Sequence, residues 1–236
     1  MSNLPLSEAP AATSKVSPLE RVAPYVKRTV KGLSSKVFTV DPIAGAHFSK
    51  IVSVMSSAYK RHGTILERSF LEVLSDYPDL MVWNEANFWV PSGVDHIVRA
   101  SIADPTHLFG TNMPYTGSGA RQLQIDLMVY NKNTRTFCAY EIKRGNGKHD
   151  AGKQRSMLVD TMCTQILLHG YAGTRGLEPV SVRSYVIFYY GQCSLKAPFA
   201  IKGTDVDAHF EKPISDQIEE VNELFRRELF SILSAA

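Results

Sequence analysis

Three charged side chains, Asp126, Glu141 and Lys143, lie in two short segments whose residue alternation is typical of β-strands. In the first segment, Asp126 belongs to a polar set that alternates with Leu123, Ile125, Leu127 and Val129. In the second, Glu141 and Lys143 share one face with Phe137 and Ala139, opposite Cys138, Tyr140 and Ile142. Turn-forming residues connect the segments, and a turn centred near Asn133 and Thr134 places Asp126 roughly opposite Glu141.

Two carboxylates and one ammonium that converge in this way stabilise a fold poorly, because the carboxylates repel each other unless a cation lies between them. Oxygen ligands of this kind suit a hard cation such as Mg²⁺ or Mn²⁺. Lys143 would then orient or deprotonate a water molecule beside the ion. The pattern therefore predicts a divalent-metal site.

Helix and strand patterns surround the two segments. Apolar residues at helical spacing predict a long helix over about 49–77, and strands are predicted at 81–90, 122–130 and 136–143. A second helix over 151–169, with Asp150 as its N-cap, precedes a strand at 182–190. Elements in this order indicate an α/β protein.

An acidic residue followed by Glu-X-Lys on the next strand resembles the motif of the PD-(D/E)XK nuclease superfamily, although Ile125 stands where the family name has a proline. The order of the predicted elements resembles that family as well. The resemblance implies a restriction-endonuclease-like core, with a central mixed β-sheet flanked by helices in the order αβββαβ. It also implies that Asp126, Glu141 and the Ile142 carbonyl bind Mg²⁺, with Mn²⁺ as a possible substitute, and that Lys143 is the catalytic lysine.

Members of that family often add a carboxylate from the first helix. Glu67 borders an apolar stripe of the predicted helix, whereas Glu72 points nearly opposite to it. Glu67 is therefore the candidate third acid and metal ligand. The alternative stays open that it is a boundary glutamate, either solvated or paired with Lys60 or Arg68. Gln165 lies among apolar residues of the second helix, and its role is open as well.

Basic residues near Lys143 are the candidates for DNA contacts. Arg144 and Lys148 lie in a flexible turn, and Lys153 and Arg155 follow in the first turns of a helix, where positive charge opposes the macrodipole. A passing phosphate backbone would give them a partner, and ordinary solubilising charge is the alternative. Arg121 lies beside segment 91–120, whose turn-rich composition predicts a base-reading or DNA-clamping loop.

Length and composition favour one catalytic domain, because 236 residues with 44% hydrophobic content can bury one substantial core. Residues 1–18, rich in Ser, Ala and Pro, predict a flexible tail, which leaves 19–236 as a single nuclease domain. The formal net charge of +3 permits nucleic-acid binding through local patches. Three widely spaced cysteines and the lack of a long apolar run predict a cytoplasmic protein without membrane contact.

The two ends of the predicted domain carry an arm and a helix. The arm either tracks DNA phosphates or is merely solvated, and Pro24 and Gly32 are expected to interrupt any long helix there; its basic residues are Arg21, Lys27, Arg28, Lys31 and Lys36. Residues 214–233 predict an amphipathic helix that either closes the core or provides a subunit interface. Together with the need to cut two strands of a duplex, this helix motivates the prediction of a homodimer.

These patterns and the resemblance predict a metal-dependent DNA endonuclease, in the first place a type II restriction-type enzyme that hydrolyses phosphodiester bonds of double-stranded DNA with a metal-activated water. Asp126, Glu141, Lys143 and Glu67 are its expected catalytic residues. Two alternatives stay open. One is a structure-selective nuclease of recombination, repair or a mobile element, and the other is a catalytically inactive DNA-binding module on the same scaffold.

Overall fold

A computed structural model describes residues 16–35 and 38–234 of the chain. Residues 1–15 of the predicted tail and Lys36 of the predicted arm lie outside the described residues. The helices are α1 (Pro18–Ser34), α2 (Gly45–Leu74), α3 (Ser92–Ala100), α4 (Ala151–Thr174), α5 (Val206–Phe210) and α6 (Ser215–Leu233). The strands are β1 (Leu80–Val90), β2 (Arg121–Asn131), β3 (Thr136–Lys143), β4 (Ser181–Phe188) and β5 (Ala200–Lys202).

The five strands form one mixed sheet in the order β1-β2-β3-β4-β5. The β1–β2 and β2–β3 pairs are antiparallel, whereas β3–β4 and β4–β5 are parallel. Helix α4 connects the parallel strands β3 and β4, since such a connection must return the chain to the same end of the sheet. The predictions of an α/β protein and of a mixed sheet flanked by helices are confirmed. The short strand β5 was not predicted.

Three apolar clusters hold these elements together. The first lies between one face of the sheet and α4, and it includes Phe88 and Phe137. The second lies between the other face and the C-terminal half of α2, where Phe70 and Leu74 are buried. The third joins α1, the N-terminal half of α2 and α6 without contribution from the sheet. Helix α2 thus belongs to both the sheet layer and a helical layer.

Helix α1 runs through Pro24 and Gly32, so the prediction that these residues interrupt a long helix is wrong. The helix begins with a capping box, in which the Ser17 hydroxyl accepts the Glu20 N–H and the Glu20 carboxylate accepts the Ser17 N–H. Four aliphatic side chains on one stripe, Val22, Val26, Val30 and Leu33, are buried. Their burial contributes on the order of 6–12 kcal/mol, which exceeds the roughly 3 kcal/mol that an interior proline costs.

Segment 91–120 is not a continuous loop, because it contains α3 and the 3₁₀ helix Pro105–Leu108. Val94, Val98 and Leu108 anchor these turns in the sheet–α4 core. Beyond them the chain crosses α4, where the Met113 N–H donates to the Ile166 carbonyl. Although its composition is turn-rich, the segment contains apolar residues four positions apart. These are enough to form a short buried helix.

Helix α6 closes the core of the monomer, which is the first of its two predicted roles. Val221, Leu224, Phe225 and Leu229 belong to the cluster shared with α1 and α2. Its main apolar face is therefore not free to form a subunit interface. Among the residues that the structure describes, no helix is both long and apolar enough to cross a membrane.

Gln165 joins α4 to the outer edge of β4. Its side-chain amide donates to the Val182 carbonyl at 3.1 Å and accepts the Ser184 N–H at 2.8 Å. Strand β5 pairs with β4 only at 186–188, so this amide covers the edge that β5 does not reach. Its position assigns Gln165 to the core and not to a site.

We expect Gln165→Leu to lower the free energy of unfolding by about 2–4 kcal/mol, because a side chain of similar size would leave two buried backbone groups unpaired. Urea denaturation followed by circular dichroism measures the change. Gln192→Leu is the matched control, since Gln192 is exposed and should change stability by less than about 0.5 kcal/mol. Equal stability of the two variants would contradict this role of Gln165.

Candidate functional site

Strand β2 carries a bulge at Asp126–Leu127. The β1–β2 register shifts between the pair Trp83–Met128 and the pair Glu85–Ile125, so that two residues of β2 stand opposite one residue of β1. A bulge of this type places an extra residue on one strand and re-aims the side chains beside it. The bulge belongs to the candidate site, because Asp126 is one of its two residues.

The bulge changes which residues of β2 share a face. Ile125 belongs to the sheet–α4 core, whereas Leu127 and Val129 belong to the sheet–α2 core. The predicted strict alternation, with all three on one face, is therefore wrong. Asp126 lines a cavity of about 270 Å³ together with Glu67 and other residues of α2. The side-chain direction of Asp126 is thus set by the bulge and not by simple alternation.

Strand β3, by contrast, has the predicted faces. Phe137 and Ala139 belong to the sheet–α4 core, and Tyr140 and Ile142 belong to the sheet–α2 core. The last regular pair between β2 and β3 is Leu127–Tyr140. One further step of the same register would place Asp126 opposite Glu141, as the turn between the strands predicted.

Asp126 and Lys143 are each fixed by a polar contact. The Ile142 N–H donates to Asp126 Oδ2 at 2.8 Å, so the carboxylate takes a backbone donor where the strand ladder has ended. Lys143 Nζ lies 2.5 Å from Glu141 Oε1, and both side chains are roughly 70% buried. Asp126 thus contacts the β3 backbone between Glu141 and Lys143, while those two side chains contact each other at the end of the β2–β3 pair.

Two carboxyl groups of the site have raised pKa values. Burial, and then the neighbouring charge of Asp126, raise the pKa of Glu67 to about 7. Burial likewise raises the pKa of Asp126 to about 6, although the Ile142 N–H and the Lys143 ammonium oppose this rise. Burial disfavours the charged form of Lys143, but the charge and hydrogen bond of Glu141, together with the charges of Asp126 and Glu67, raise the pKa of that lysine above its ordinary value. Burial is thus the main cause of both raised carboxyl pKa values, and the site contains three carboxyl groups and one lysine.

Glu67 is thus near the other acids, and the prediction that it borders the apolar stripe agrees with its place beside the buried Leu66 and Phe70. Glu72, which was predicted to point away, accepts Arg21 Nε at 2.8 Å and ties α1 to α2. Within the described part of the chain, Glu67 forms no salt bridge with Lys60 or Arg68, and Arg68 lies 3.8 Å from Glu72 instead. Of the two glutamates, Glu67 is the one that faces Asp126.

Glu141 borders a second, smaller cavity of about 60 Å³, together with Asp160 and Thr164 of α4. Asp126 and Glu141 therefore line different cavities, one against α2 and one against α4, although Gln124 lines both. Within the described part of the chain, no three His, Cys, Asp or Glu side chains are grouped as ligands for one metal ion. In this arrangement Glu141 contacts the Lys143 ammonium.

Arg121 is held inside an ion-pair network. Its guanidinium lies 2.8 Å from Asp95 and 2.7 Å from Asp160. Asp95 also pairs with Arg99, so α3, β2 and α4 meet at these charges. Arg121 thus joins elements of the fold, and its guanidinium is engaged with two carboxylates and with Cys163 Sγ.

The remaining predicted DNA-binding residues lie on the surface beyond β3. Lys148, Lys153 and Arg155 are exposed, and Asp150 caps α4 by accepting the Lys153 N–H at 2.9 Å, as predicted. Arg144 is half-buried, and Arg144 Nε donates to His62 Nδ1 at 3.1 Å. His62 and Asp160 were not predicted as neighbours of the site, because each comes from a helix distant in sequence and has no motif.

Comparison of the chain with protein-family models, with curated proteins and with solved structures finds no match in any of the three.

Glu67 should make the stability of the metal-free protein depend on pH. A carboxyl whose pKa is higher in the folded protein than in the unfolded chain stabilises the fold fully below about pH 4.5, and this stabilisation is lost as the pH rises through about 7. In EDTA, we expect Glu67→Gln to reduce this dependence, to which Asp126 still contributes, and to stabilise the protein at pH 8 by on the order of 1–3 kcal/mol relative to wild type.

Urea unfolding at several pH values between 4.5 and 8 measures this difference. Glu178→Gln serves as the control, since the Glu178 side chain is 85% exposed and should leave the pH profile of wild type unchanged. Parallel pH profiles for wild type and Glu67→Gln would show that Glu67 titrates normally.

Proposed function

We propose that the protein is a metal-dependent DNA endonuclease with a restriction-endonuclease-like core. The observation that carries this proposal is the placement of Asp126, Glu141 and Lys143 at the end of the β2–β3 pair, beside the two raised carboxyl pKa values. Buried carboxylates that repel each other contribute little to stability, and an active site is the common reason to keep such groups together.

The donor set suits Mg²⁺ or Mn²⁺, because all of its atoms are oxygens. Asp126 and Glu67 already line one cavity, and burial there raises the pKa of both carboxyl groups. The Ile142 carbonyl is the backbone oxygen next to Glu141. When bound, the ion would stabilise charge on the phosphate and lower the pKa of a water. To join these ligands, Glu141 would exchange its contact with Lys143 for the ion.

Lys143 is better suited to orient a water molecule than to deprotonate one. Its pKa is raised, so the ammonium stays protonated at neutral pH and cannot accept a proton. A protonated lysine can donate hydrogen bonds to the attacking water or to the phosphate oxygens. It thereby stabilises the negative charge that develops on the phosphate during hydrolysis.

DNA would approach along the surface beyond β3. Lys148, Lys153 and Arg155 are exposed there and follow Lys143 closely in sequence, so they are the proposed phosphate contacts. Arg121 is the weakest of the proposed contacts, since Asp95 and Asp160 already neutralise it. A homodimer would allow both strands of a duplex to be cut, and it would use a surface other than the buried face of α6.

Incubation of purified protein with plasmid, linear duplex, single strands and branched junctions tests the activity. We expect cleavage with Mg²⁺ or Mn²⁺ and none in EDTA, because the carboxylates cannot stabilise an anionic transition state alone. Discrete duplex fragments indicate a restriction-type enzyme, and cuts that require a branch indicate a structure-selective nuclease. Binding without cleavage identifies an inactive DNA-binding module, and full cleavage in excess chelator contradicts the metal.

Lys143→Ala should lower the cleavage rate by on the order of 10²-fold or more and leave DNA affinity nearly unchanged, because the ammonium acts on the reacting groups. Lys132→Ala is the matched control. Lys132 is an exposed lysine at the opposite end of the β2–β3 pair, near the turn. Arg155→Ala should instead weaken binding at low salt and reduce its salt dependence.

Quench-flow rates and fluorescence anisotropy separate these two effects, and circular dichroism checks that each variant folds. Cleavage by Lys143→Ala at the wild-type rate would show that this lysine is structural, and the nuclease assignment would lose its central residue.

A further inference from the structure

Arg144 follows Lys143 directly and is held in place by neighbouring strands and helices. The Tyr190 N–H donates to the Arg144 carbonyl at 2.7 Å, which fixes the backbone where β3 ends. The next residue, Gly145, has φ +65°, and a Cβ there would lie 2.8 Å from Phe188 Cβ. The chain therefore turns at a position that only glycine fits, and Arg144 is directed toward α2.

A chain of hydrogen bonds fixes the guanidinium of Arg144. His62 is buried, and burial lowers its pKa to about 4, so the ring is neutral at physiological pH. His62 Nδ1 accepts from Arg144 Nε, and His62 Nε2 consequently carries the proton that it donates to Asn222 Oδ1 at 3.0 Å. The Asn222 amide donates in turn to Glu219 at 2.9 Å. Helix α6 thus positions an arginine that lies next to the candidate active site.

Two exposed tyrosine rings flank this guanidinium. Arg144 Cζ lies 4.6 Å from the centroid of the Tyr59 ring and 5.8 Å from that of Tyr190. The two residues are 47% and 44% exposed, although the Tyr190 ring also stacks on His62. Within the described parts of the chain, no carboxylate forms a salt bridge with Arg144. Its terminal Nη groups therefore have hydrogen-bond donors to offer to a ligand.

We propose that Tyr59, Arg144 and Tyr190 form a binding site for unpaired nucleotides beside the candidate active site. An exposed aromatic ring can stack on a nucleobase only if the face of that base is free, and in an intact duplex both faces are covered by neighbouring bases. The Nη groups of Arg144 would bind the adjoining phosphate, for which the planar fork of arginine is suited.

This inference rests on the proposed nuclease function and specifies its substrate. A site for unpaired nucleotides next to Lys143 selects DNA that has a single-stranded segment, such as a fork, a flap or a junction. An intact duplex would have to unpair before it reached the two rings, at a cost of a few kcal/mol. Of the two classes of nuclease substrate, the inference therefore favours branched DNA over an uninterrupted restriction site.

Binding in EDTA tests the site without catalysis. Fluorescence anisotropy compares a single strand, a forked duplex and a blunt duplex of equal length at fixed salt. We expect the wild type to prefer the single strand and the fork, and Tyr59→Leu and Tyr190→Leu each to weaken that binding about tenfold while duplex binding changes less than about twofold. Phe230→Leu is the control, because Phe230 is a similarly exposed ring on α6 that has no contact with Arg144 among those described.

Arg144→Lys separates stacking from charge. It keeps the positive charge and should keep the salt dependence of binding, but it should lose the preference for unpaired DNA, because an ammonium cannot stack against the two rings as the planar guanidinium does. Equal weakening of single-strand and duplex binding by the tyrosine variants would overturn the inference, since the rings would then only support a phosphate contact.

The cleavage assay keeps the two proposals distinguishable. Metal-dependent cutting of a blunt duplex by both tyrosine variants and wild type at equal rates, without preference for forks, would overturn the nucleotide site and leave the nuclease function intact. Failure to bind or cut any form of DNA would overturn both. Circular dichroism of each variant detects a loss of folding. If a tyrosine variant does not fold, the preference of Arg144→Lys for unpaired or duplex DNA tests the nucleotide site instead.

Discussion

The end of the β2–β3 ladder at Leu127–Tyr140 is the constraint on which the rest of the site depends. Continued pairing would place the Ile142 N–H opposite Ile125, but this donor binds the Asp126 carboxylate instead. The bulge in β2 allows this exchange, because it turns Asp126 toward α2 while the apolar residues on either side stay buried. Strands β2 and β3 therefore separate after this pair as a consequence of the bulge, which leaves an opening between them.

The charges at this opening are unevenly compensated. Lys143 neutralises Glu141, whereas Asp126 and Glu67 share a cavity in which burial raises both of their pKa values. Such an arrangement costs stability, and the three apolar clusters around the sheet and helices offset that cost. A cation placed among these buried oxygens would favour their ionised forms, which is the physical link between the fold and the proposed metal chemistry.

Helix α2 connects the proposed chemistry with the proposed recognition of DNA. Its C-terminal end covers the sheet and supplies Glu67, and its preceding turns pack against α1 and α6 and supply Tyr59 and His62. Glu67 and Tyr59 are eight positions apart on this one helix, which corresponds to about 12 Å along its axis. Because both parts are buried against other elements, the distance between the acidic site and the aromatic rings is fixed by a rigid element.

The sequence by itself determined the main strands and helices and the faces of β3, because period-2 and helical patterns reflect which side chains are buried locally. It also indicated the register in which β2 approaches β3 near Asp126 and Glu141, since a short turn sets the register of adjacent strands. Only the tertiary structure decided the bulge at Asp126, the continuation of α1 through Pro24 and the ion pairs of Arg121. These features depend on contacts between elements distant in sequence, whose burial energy exceeds local preferences, and no local pattern records such contacts.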